Sequence, residues 1–107
     1  MENLEKQWQK TIKQLEQQFD DEISIKGILY LIGIQELNFG LKSFSREEKI
    51  NVLHVATCRL LSDYGYYKLD RVDNDGWPHY KELRAVKNLS ADDQKKLIKT
   101  AIINYLN

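Results

Sequence analysis

The run ISIKGILYLIGI, residues 23–34, constrains the fold more than any other feature of this chain. Ile25, Ile28, Leu29, Leu31, Ile32, Ile34 and Leu37 leave a helix ending near Leu37 apolar almost all round. Such a helix needs neighbours on several sides and belongs at the centre of a bundle. It is too short to cross a membrane, which takes about twenty apolar residues, and Lys26 interrupts it. Gly27 and Gly33 each cost about 1 kcal/mol of helix propensity against Ala. They read as points where another helix packs closely.

Three more helices surround this one in the sequence. From residue 2 to 19, Leu4, Trp8, Ile12, Leu15 and Phe19 form a narrow stripe among Lys, Glu and Gln, as on a helix that lays one face on a core. Asp20, Asp21 and Glu22 mark the break before the central helix. Residues 38–44 are a loop with Gly40 left-handed. Ser45 and Glu48 form a capping box that opens a third helix, which ends near Tyr64 before Gly65. Ile50, Leu53, Thr57, Leu60, Leu61 and Tyr64 are its expected core face, widened by Val52 and Ala56. Ser90 caps a last helix, Ala91 to Leu106, with Asp92 and Asp93 in its first turn.

A chain of 107 residues, 42% hydrophobic, is read as one domain, residues 1–107. Sixteen basic residues balance sixteen acidic ones, whereas a dedicated nucleic-acid binder carries a basic excess. Cys58 is the sole cysteine, so no disulfide forms within the chain. With a polar start and no apolar signal core, the cytoplasm is the expected location.

The remaining stretch, GYYKLDRVDNDGWPHYKEL (residues 65–83), holds three of the six tyrosines, Trp77, the only proline and His79. Four readings compete for it. As a calcium loop with Gly76 at position six, Asp73, Asp75 and Glu82 fall at ligand positions three, five and twelve. Arg71 then occupies the first, where a carboxylate is required. As a wing, two strands would flank an Asp75-Gly76 turn, the arrangement of a winged-helix-like nucleic-acid-binding or regulatory domain with 66–83 as the wing. Residues 64–83 carry three basic and four acidic side chains, which offers phosphate no basic face. As a recognition surface, Tyr66, Tyr67, Trp77, His79 and Tyr80 supply the aromatic groups that dominate contact hot spots. As a bundle cap, Pro78 would open a short helix to Ala85, with Trp77 and Tyr80 sealing the core.

His54 and Cys58 share a helix face at a spacing of four, and His79 would be a third zinc ligand, but a structural site takes four. No phosphate-cradling glycine loop or nucleophile elbow is present. The sequence names no catalytic residue and no cofactor.

The run EEKINVLHVATCRLLSDYGYY followed by DNDGWPHYKEL resembles a small family of uncharacterised bacterial all-helical proteins, over residues 35–106. The resemblance implies no activity, cofactor or catalytic residue. Taken together, the sequence predicts an all-α compact bundle of four to five helices, with an irregular aromatic loop at about 65–77 before the last two. The expected role is a non-catalytic protein-interaction module, monomeric or homodimeric. It would meet an unidentified protein partner through the aromatic and acidic loop 66–82, not a membrane.

Overall fold

The computed structural model describes residues 3–19, 24–40 and 42–107, without the side chains of 17–19. The expected break at residues 20–22 lies outside the described residues. Four helices carry most of the chain: α1 (Leu4–Phe19), α2 (Ile25–Leu37), α3 (Arg46–Ser62) and α4 (Ala91–Leu106). Between α3 and α4 lie two antiparallel strands, β1 (Tyr67–Val72) and β2 (Pro78–Glu82), and a 3-10 turn at Val86–Asn88. The fold is therefore mostly helical but not all-α. Among the described residues no helix is long and apolar enough to cross a membrane.

The chain forms two compact units, residues 1–24 with 86–107, and residues 25–85. In the first, α1 packs against α4. Trp8 and Thr11 are buried on α1, Ala101 and Ile102 on α4. Thr11 is polar, and it tolerates burial because its hydroxyl donates to the Gln7 carbonyl, 3.1 Å away. Lys99 lies 5.5 Å from the centre of the Trp8 ring and its Nζ is 3.4 Å from Glu5 Oε2. Ser90 caps α4 by accepting from the Asp93 amide at 3.1 Å.

In the second unit, α2 lies along α3. Their approach centres on Gly33. A Cβ there would stand 2.6 Å from Val52 Cγ1 and collide with the Val52 carbonyl oxygen, so only glycine lets the backbones come this close. α3 begins at the capping box expected of Ser45 and Glu48. Ser45 Oγ accepts from the Glu48 amide at 3.1 Å, and Glu48 Oε1 accepts from the Ser45 amide at 2.9 Å. The core around this contact is Leu37, Val52 and Val55, with Tyr30, Ile34, Phe39, Phe44 and Trp77 packed against it.

The buried face of α3 matches the sequence reading at Val52, Ala56, Leu60 and Leu61 and departs from it at Ile50, Val55 and Cys58. Val52, Val55, Ala56, Cys58, Leu60 and Leu61 are buried, while Ile50 is 62% exposed. The hydrophobic count along α3 favours the Ile50–Leu53–Thr57 stripe. The close contact with Gly33 selects Val52 instead, and the strands then cover the flank that holds Cys58.

The stretch after Gly65 is a hairpin, not an irregular loop entering a short helix. Gly65, at φ 83°, turns the chain out of α3. Tyr67 pairs with Glu82, Lys68 with Lys81 and Leu69 with Tyr80; a β-bulge follows, and Arg71 pairs with His79 and Val72 with Pro78. Pro78 takes the first position of β2, where a strand tolerates proline, rather than the first turn of a helix. Of the arrangements weighed for 66–83, the two strands flanking a turn are thus the one adopted.

Candidate functional site

The hairpin is held by the aromatic residues expected to be its contact surface. Tyr66 is 8% exposed. Its amide donates to the Leu61 carbonyl at 3.2 Å and its carbonyl accepts from the Leu83 amide at 2.8 Å. The Arg84 guanidinium lies 4.6 Å above its ring. Trp77 meets Phe39 and Phe44 edge-on, with ring centres 5.4 and 6.2 Å away. Tyr67 is half-buried with its ring 6.4 Å from that of His54, and Tyr80 is half-buried on β2. Of the five aromatic and imidazole groups, His79 alone is exposed.

The turn is built around Asp73. Its Oδ1 accepts from the amides of Asp75 at 2.9 Å and Trp77 at 3.0 Å, and its Oδ2 is 2.8 Å from His79 Nε2. The His79 hydrogen bond, followed by the Trp77 amide, holds the Asp73 carboxyl below its usual range. Gly76, at φ 89°, completes the turn and lies against the Phe39 ring. The three carboxylates of the calcium reading do not converge. Asp73 is occupied by amides and an imidazole, and Glu82 pairs with Tyr67 at the far end of the ribbon from the turn. Among the described residues no three His, Cys, Asp or Glu side chains gather as a metal site.

His54 Nε2 lies 3.4 Å from Cys58 Sγ, as their spacing implied. Cys58 is fully buried. Burial first, then the Glu82 charge, pushes its thiol up to about 11. A reactive cysteine needs the opposite shift. His79 does not join this pair; it belongs to Asp73. Between α3 and the turn lies a cleft of about 290 Å³ lined by Glu48, Asn51, His54, Val55, Asp73, Trp77, Pro78 and His79. It brings two imidazoles and two carboxylates together, but no Ser, Thr or Cys nucleophile lines it.

The outer side of the ribbon escaped the sequence reading. Directly opposed residues share a face of a hairpin, and faces alternate along each strand. Lys68 with Lys81, and Arg71 with His79, therefore stand on one face, while Tyr67, Leu69, Tyr80 and Glu82 stand on the other. All four members of the first set are exposed. Strict alternation from Lys68 would have put Asp70 on this face and Arg71 behind it. The bulge absorbs Asp70 and brings Arg71 round. Asp70 remains a neighbour, 3.7 Å from Arg71. Among the described residues, three of the six exposed large hydrophobic side chains, Leu69, Val72 and Leu83, also belong to the ribbon or directly follow it. Comparison with protein-family models, with curated proteins and with solved structures yields no match for this chain.

Proposed function

We propose that this chain is a non-catalytic binding module whose working surface is the exposed side of the β1–β2 ribbon. The observation that carries the reading is the division of labour within residues 65–83. Tyr66, Tyr67, Trp77 and Tyr80 are engaged in holding the ribbon, whereas Lys68, Arg71, His79 and Lys81 stay exposed together on one face of it. The buried, protonated Cys58 supports a role without covalent catalysis. The partner surface is thus the outward residues of the stretch 66–82, and the aromatic ones act as its foundation.

Photo-crosslinking tests this without knowledge of the partner. A benzophenone side chain placed at position 68 or 81, in the cell that makes the protein, is expected to capture a discrete macromolecule. The same group at position 96 of α4 is expected to capture none. Capture from 96 alone would remove the ribbon from consideration.

A further inference from the structure

The outer face of the ribbon breaks a rule of sheet stability. Like charges directly opposite one another destabilise a hairpin, yet Lys68 faces Lys81, and Arg71 stands one rung along on the same face. Lys68 and Lys81 make no ion pair among the described residues that would relieve them. A fold indifferent to function would place one acid in each pair, and four acids are at hand in the same stretch: Asp70, Asp73, Asp75 and Glu82. They are kept elsewhere. Asp73 and Asp75 are in the turn, Glu82 is on the opposite face and Asp70 is in the bulge. Where local consistency fails without a gain in stability, function is the first place to look.

We infer that this face binds the phosphate backbone of duplex DNA. The inference rests on the ribbon being the working surface and names its partner. A two-stranded ribbon has the cross-section that the major groove of B-form DNA admits. The cations Lys68, Lys81 and Arg71 occupy two successive rungs of one face about 6.7 Å apart, twice the strand rise, so they address a charged backbone at successive points. Zero net charge of the whole chain does not oppose this, because the register separates the signs by face.

The experiment is fluorescence anisotropy of a short, mixed-sequence DNA duplex titrated with the full chain. Saturable binding is expected with a dissociation constant of about 10⁻⁴–10⁻⁶ M. For three phosphate contacts the logarithm of affinity should fall against the logarithm of salt with a slope of about −2.7, roughly a forty-fold loss between about 50 and 200 mM. Lys68→Ala, Arg71→Ala and Lys81→Ala should each lower the slope magnitude by about 0.9, while Lys6→Ala and Lys96→Ala on α1 and α4 leave it unchanged. Circular dichroism confirms that each variant is folded. The inference is overturned by no saturable binding, by a Lys68/Arg71/Lys81 triple variant that binds as well, by equal displacement with polyglutamate, or by equal affinity for an RNA duplex, whose deep, narrow major groove excludes a ribbon. If DNA fails while crosslinks at 68 or 81 still capture a macromolecule, the partner is wrong and the surface stands. If both fail, the surface itself falls.

Discussion

Gly33 and Cys58 show how much of this fold rests on single side chains, or on the lack of one. Gly33→Ala places a methyl against the Val52 carbonyl and Cγ1. Overpacking of this kind costs about 1–3 kcal/mol, so the urea midpoint should fall while the slope of the transition is kept. Cys58 makes stability depend on alkaline pH. Its folded pKa is raised to about 11, and burial raises Tyr67 and Tyr80 as well, in each case as the largest cause. A raised pKa gives stability that is complete below the unfolded value and lost as pH climbs through the folded one. Melting temperature should therefore hold to about pH 8.5, the ordinary thiol value, then drop steadily toward pH 11. Cys58→Ala should flatten the first part of that drop. Gly33 was legible in the sequence as a point of close approach, because a glycine in so apolar a helix has little other use. The partner it meets was not legible: Ile50 and Val52 are equally apolar, and only packing decides which turns inward.

Among the elements, α4 and the start of α3 were the most legible. Ser45 with Glu48, and Ser90 with Asp93, are local chemistry that needs no tertiary context. The ribbon was the least legible, and the physical reason is the bulge. A strand is recognised by period-two alternation, and Asp70 puts β1 out of phase halfway along. Pro78 then points to a helix start when β2 in fact begins there. The placement of the metal and aromatic candidates followed from the same misreading, since a hairpin separates Asp73 from Glu82 and turns the tyrosines toward α3. Two tests belong at this scale. Lys81→Glu converts the first rung into an opposite-charge pair and should raise stability by about 0.5 kcal/mol, a gain of a few degrees in the melting midpoint, while weakening DNA binding. Stability and binding should thus move in opposite directions for one substitution. Deletion of Asp70 should leave every cross-strand pair as it is, since Leu69–Tyr80 and Arg71–His79 become consecutive rungs. Nuclear Overhauser contacts between facing α-protons would show whether the register survives.

For the molecule as a whole, the two compact units divide the chain unequally in sequence distance. Residues 25–85 form a continuous segment with its own core around Leu37, Val52 and Val55. Produced alone, that segment is expected to keep the α2–α3 contact and the hairpin. Near-ultraviolet circular dichroism from Trp77 packed on Phe39 and Phe44 is the check, and a featureless spectrum would count against its independence. The other unit is closed by contacts such as Lys99 to Glu5, 94 residues apart. Glu5 meets Lys99 while Leu15 shares a cleft with Leu106, so α1 and α4 run in parallel, and the intervening segment serves as their crossover. Pairing over that separation carries a large loop-closure entropy, which slows folding. During synthesis α1 leaves the ribosome long before α4 exists, and must wait for it while residues 25–85 are made. A stripe only one residue wide, set among lysines, glutamates and glutamines, is what keeps a helix soluble through such a wait.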